Sequence, residues 1–189
     1  MIQKPLIALF TLILAVLPFY LKAGNFMNQS AYNFSFESLD GGLVKLSDYK
    51  GKAILVVNTA SRCGFTPQYT ALQTLWQEYQ NQGLIILGVP SDDFGGQELD
   101  SEAEVKSFCE VNFNIDFPMT KITHVKGPDA HEFYKWAGEE VGRLGQPRWN
   151  FHKFLIGRDG QIQDWFSSVT APDSKKIQQA IQQALASTD

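Results

Sequence analysis

Cysteine is scarce in this chain: 189 residues hold two, Cys63 and Cys109. They are too few for a disulfide scaffold, and no Cys-x-x-Cys pair exists, which excludes disulfide exchange through that motif. Histidine is nearly as rare, with His124, His131 and His152 scattered along the chain and none at zinc-site spacing from a cysteine. No metal or cofactor site is therefore expected. Clustered positive charge is also missing. The formal net charge is -4, and no basic run offers a surface to nucleic acid or an anionic membrane.

One long uncharged run is present, PLIALFTLILAVLPFYL, from Pro5 to Leu21 between Lys4 and Lys22. It is longer than a secretory h-region of roughly 7 to 15 residues and shorter than the roughly 20 that span a bilayer. Residues 1–23 are read as a signal peptide or an N-terminal membrane anchor, and Leu21 makes a poor cleavage motif before Ala23. Either alternative exports the domain, to the periplasm or another extracytoplasmic face. Residues 24–189 show no composition shift, repeat or linker and are expected to form one domain.

Within that domain the apolar patterning alternates between strand and helix. NFSFESLDGGLVKL predicts a hairpin turning at Asp40-Gly41-Gly42. AILVVN (Ala53 to Asn58) and LIILGV (Leu84 to Val89) are continuous apolar runs suited to strands buried on both faces. Between them, Thr66 as N-cap and Pro67 at the first helical position predict a helix with Leu72, Leu75, Trp76 and Tyr79 on one side, ending before Gly83. Strand, helix and strand make a βαβ unit with parallel strands. Ser101 and Glu104 form a capping box for a helix carrying Val105, Phe108 and Cys109. FPMTKI predicts a short strand, a helix is expected around Ala130 to Ala137, FLI and QIQDWF a hairpin, and Asp173 to Ala186 a closing amphipathic helix.

Ligands of open α/β sheets gather beyond the carboxyl ends of parallel strands, and Cys63 lies just past Asn58 at the head of a helix. Helix N–H groups and the dipole favour the thiolate, the reactive form of cysteine. The loop PSDDFGGQE leaves the second parallel strand at the same edge and brings Gln97 there. Trp149 and Asn150 precede an antiparallel strand and reach that edge too. A lone thiolate could attack an acyl carbon with a histidine base, or a peroxide oxygen without one. Only His152 is near these loops, so peroxide reduction fits better.

The blocks VNTASRCGFTPQY, FGGQE, FC followed by FP, and RWNFHKFL, in this order, resemble the signatures of the glutathione peroxidase family. The resemblance covers Asn33 to the C-terminus. It implies an α/β thioredoxin-like fold, with a central mixed β-sheet flanked by helices and an N-terminal β-hairpin. It also implies a peroxidatic Cys63, with Gln97, Trp149 and Asn150 as polar neighbours, acting on hydrogen peroxide and organic or lipid hydroperoxides. In cysteine-dependent members the FC motif supplies the resolving thiol, here Cys109, and the reductant is a thioredoxin-like protein or glutathione. The chain departs from the family at Ser91-Asp92-Asp93, where Cys-Asn-Gln is usual; these two carboxylates are expected to face solvent. The segment from Trp136 to Trp149 lacks the long insertion of tetrameric relatives, which implies a monomer preferring a protein reductant. The competing reading is a catalytically silent binding domain in which Cys63 and Cys109 form a permanent disulfide.

Overall fold

The computed structural model describes residues 29–187; the segment read as signal peptide or anchor lies outside them. Among the described residues no helix is long and apolar enough to cross a membrane.

The two apolar runs form β3 (Ala53–Thr59) and β4 (Leu84–Pro90), every residue of both buried, paired in parallel from Ala53 opposite Leu84 to Thr59 opposite Pro90. The hairpin strands β1 (Ser35–Glu37) and β2 (Leu43–Lys45) precede them as a separate antiparallel pair. β5 (Lys153–Ile156) runs antiparallel to β3, and β6 (Ile162–Phe166) antiparallel to β5, giving the sheet order β4-β3-β5-β6. Because β5 is antiparallel, its N-terminal end lies at the same sheet edge as the carboxyl ends of β3 and β4. That edge is where the predicted loops meet.

Strand alternation divides the core in two. Ala53, Leu55 and Val57 face α1 (Gln68–Tyr79), α2 (Glu102–Phe113) and α5 (Lys175–Ala186). Ile54 and Val56 face α3 (Glu132–Glu140) and the hairpin's Phe36. The four-residue α4 (Gly142–Gly145) follows α3 directly. Each fully buried Leu or Ile contributes about 2 kcal/mol, so the face carrying Leu72, Ile177 and Ile181 is a substantial part of what holds α1 and α5 to the sheet.

Three local expectations need correction. FPMTKI is not a strand: it makes only isolated bridges, Met119 with Gly88 and Thr120 with Ser38. Pro118 has no N–H to continue a ladder, and the segment instead joins the β4 edge to the hairpin. A Cβ on Gly88 would lie 3.2 Å from Met119 and Phe117, so the bare backbone is what admits these side chains. Thr66 does not cap α1, which starts at Gln68 without a side-chain cap; its hydroxyl is committed to the preceding loop. The carboxylates of Asp92 and Asp93 are described below. Ser101 caps α2 as expected, with Glu104 N–H donating to Ser101 Oγ at 3.3 Å, while the Glu104 carboxylate accepts from the Ser101 hydroxyl at 2.9 Å rather than from its backbone N–H as a capping box would have it.

Candidate active site

Cys63 sits in a turn between β3 and α1 and is 7% exposed. Thr66 shapes this turn: its hydroxyl donates to Ala60 O at 2.7 Å and accepts the Cys63 N–H at 3.0 Å. The Phe65 N–H then points at the sulfur, 3.4 Å from Sγ. The turn itself thus places an N–H donor against Cys63, since α1 begins only at Gln68.

Backbone and side-chain bonds tie the Gln97 loop to this turn. Arg62 N–H donates to Gln97 O at 2.8 Å, and Ser61 N–H to Glu98 Oε1 at 3.0 Å. The third loop is joined through Asn150, which is fully buried and donates from Nδ2 to Gln97 Oε1 at 3.1 Å. That bond engages the oxygen of the Gln97 amide and leaves its NH2 end as a donor. Trp149 is 40% exposed, with its ring against Phe94 and the bare backbone of Gly95, where a Cβ would lie 3.6 Å from Cη2. Gly95 has φ 79, a second reason for glycine there. Cys63, Gln97, Trp149 and Asn150 therefore come from three loops that are bonded to one another.

Asn58, the last polar residue of an apolar run, is the node that sequence reasoning missed. Its Nδ2 donates to Trp149 O at 3.2 Å, its Oδ1 accepts from His152 N at 3.1 Å, and its carbonyl accepts from Phe151 N at 2.6 Å. Phe151 is held at φ 62, a left-handed conformation costly for a bulky residue. The only local signal was an amide near the end of a strand whose other residues, Thr59 excepted, are apolar.

Glu98 was missed as well. It is 2% exposed; Oε1 takes the N–H groups of Ser61 and Leu99, while Oε2 is buried without a partner. Burial raises its pKa, opposed by the Ser61 and Leu99 donors. Lys153 is fully buried, donating to Gln68 Oε1 and Thr170 O at 2.6 and 2.7 Å, and burial lowers it to about 7.

His152 turns away from Cys63. It packs on the opposite sheet face, stacked on Trp165 at 5.7 Å and edge-on to Phe154. Burial, with the Lys153 charge, holds its pKa down to about 4. No imidazole base is thereby offered to the thiol from this strand.

The two carboxylates divide. Asp92 is exposed and caps its own loop, accepting Glu98 N–H at 3.2 Å. Asp93 does not face solvent: it is half-buried and accepts from His124 Nδ1, Val125 N and Lys126 N at 2.8, 2.6 and 3.1 Å. Partial burial alone would raise its pKa, but the His124, Val125 and Lys126 donors outweigh it and the net shift is downward. The loop's departure from the family pattern is thus spent on anchoring residues 124–126.

Cys109, on α2, is 1% exposed and belongs to the same core cluster as Cys63; both are free thiols. Burial pushes Cys109 up to about 11, partly offset by the Tyr69 hydroxyl beside it. Among the described residues no group of three or more His, Cys, Asp or Glu side chains could hold a metal ion.

A family model described as glutathione peroxidase matches residues 31–137. A glutathione peroxidase of Lactococcus lactis subsp. cremoris is 44% identical over 144 residues, covering 75% of this chain and 92% of that protein. A hydroperoxy fatty acid reductase of Synechocystis sp. is 41% identical over 154 residues, covering 77% and 91%. The apo crystal structure of Trgpx superposes with a TM-score of 0.68 at 38% identity, covering 85% of this chain and 97% of that one.

Proposed function

The chain belongs to the glutathione peroxidase family and is a thiol-dependent peroxidase, and we propose that Cys63 is its peroxidatic residue, with Gln97, Trp149 and Asn150 as its polar neighbours. What supports these roles is that the loops carrying Gln97 and Asn150 are bonded to each other and to the turn that carries Cys63, with the Phe65 N–H aimed at Sγ.

The thiolate attacks the terminal peroxide oxygen; the O–O bond breaks and its electron pair leaves on the alkoxide or hydroxide. Donors that need not ionise, the Trp149 indole N–H and the Gln97 NH2, are suited to the charge that develops on that oxygen. Cys63 is left as a sulfenic acid. Cys109 then condenses with it to a disulfide, releasing water, and a thioredoxin-like protein or glutathione reduces the product. Hydrogen peroxide and organic or lipid hydroperoxides are the substrates. A protein working as a monomer outside the cytoplasm completes this proposal, supported by the four-residue α4 in place of a long insertion and by the apolar run from Pro5 to Leu21.

Cys63→Ser is the direct test. Peroxide turnover with either reductant is expected to vanish while circular dichroism keeps the wild-type spectrum, because a serine hydroxyl is not an anionic nucleophile at neutral pH. Undiminished turnover would remove Cys63 from the chemistry.

A further inference from the structure

Asp93 raises a question that the peroxidase chemistry leaves unanswered: what is gained by fixing residues 124–126 so firmly? Two of its three bonds hold the backbone N–H groups of Val125 and Lys126, and the third holds the His124 ring. The Lys126 ammonium is thereby set over the face of Phe94, 4.5 Å from the ring centroid. Phe94 packs in turn on Trp149, centroids 6.1 Å apart. Those two steps of 4.5 and 6.1 Å put the Lys126 charge within about 11 Å of the Trp149 indole.

Lys126 also lines a cavity of about 170 Å³, with Val125, Tyr134, Lys135, Gln146 and Pro147 among its other walls. Pro147 belongs to the stretch that leads into Trp149, so this cavity adjoins the active edge. Of its two lysines, Lys135 is neutralised by Glu132 at 2.7 Å. Lys126 has no carboxylate within ion-pair distance among the described residues. The Tyr134 hydroxyl in the wall is buried without a hydrogen-bond partner.

An unpaired cation over an aromatic face, beside a small cavity of mixed polar and apolar lining and one ring away from Trp149, matches a ligand with an anionic end. We propose that Lys126 and this cavity form a carboxylate-binding subsite, which takes the carboxylate of an acidic hydroperoxide or of glutathione while the reacting atom lies at Cys63. The inference rests on the peroxidase assignment and adds to it a residue that selects among substrates.

Steady-state kinetics on the full-length protein test it with three oxidants: hydrogen peroxide, linoleic acid hydroperoxide and its methyl ester, each with a thioredoxin or with glutathione as reductant. In Lys126→Gln the KM for the acid is expected to rise about five- to tenfold with kcat kept, in line with loss of a hydrogen bond to a charged group. The rise should be larger in Lys126→Glu, with the methyl ester and hydrogen peroxide unaffected in both. The wild-type preference for the acid over its ester should also shrink in 0.5 M salt. If the KM for glutathione rises instead, with all three oxidants unchanged, the carboxylate is the reductant's. Acid, ester and glutathione all within twofold of wild type in both variants would overturn the subsite. A wild-type protein that turns over none of the three oxidants would sink the peroxidase assignment itself, so the two failures are told apart.

Discussion

The roles proposed around Cys63 fall to side chains that need not change charge, and each of them can be removed singly. Trp149→Phe keeps an aromatic ring over Gly95 but deletes the indole N–H; Gln97→Ala deletes the amide that Asn150 holds. Each is expected to slow the oxidative step by roughly tenfold or more, since a donor lost from developing charge costs about 3 kcal/mol at the upper end. Stopped-flow rates within twofold of wild type would exclude them from the site. His152 acts on stability instead. The unfolded chain takes up its proton near the ordinary value of 6.5, whereas the folded one resists until about 4. The unfolded state therefore binds more protons in that window, and stability present above pH 6.5 is lost as pH falls towards 4, by roughly 3 kcal/mol. His152→Gln should flatten this loss in urea titrations at pH 7 and 4.5. An acid slope identical to wild type would assign the loss to other groups.

At the scale of an element, the resolving role proposed for Cys109 asks α2 to open. Cys109 is 1% exposed, and condensation with Cys63 requires its sulfur to leave the core. The helix buries only Val105 and Cys109 and ends at Asn114 in a left-handed turn, while Val111 is 77% exposed. Beyond Val105 and Cys109, only the part-buried Phe108 and Phe113 rings of α2 pack on the core and oppose its local opening. Peroxide treatment is expected to yield a Cys63–Cys109 disulfide, with faster amide exchange across residues 101–114 in the oxidised protein. Mass spectrometry showing Cys63 sulfinic acid beside an unmodified Cys109 would reject the resolving role and leave a one-cysteine cycle with glutathione.

For the molecule as a whole, the exposed large apolar residues Leu43, Val111, Leu144, Trp149 and Val169 are spread over several elements and loops. Scattered exposure of this kind is ordinary for a monomer. Sedimentation should give a single species no heavier than the 21.2 kDa chain, and cell fractionation should find it in the periplasm or at the membrane. A stable tetramer would contradict the first expectation, and full-length soluble protein in the cytoplasm the second.

The sequence by itself determined the βαβ unit, the hairpins and the Ser101 N-cap of α2, because apolar spacing and cap chemistry act over a few residues. It also placed Cys63, Gln97, Trp149 and Asn150 on one sheet edge, since strand direction follows from the length of each connection. Only the tertiary structure decided which way His152 points, because that depends on which sheet face Trp165 and Phe154 occupy. The same holds for Asn58, whose partners lie up to 94 residues away, and for Asp93, turned inward by donors 31 to 33 residues further on. FPMTKI had the composition of a strand, yet whether it paired depended on what stood beside β4. Local propensity does not encode a neighbour that the chain supplies from a distance.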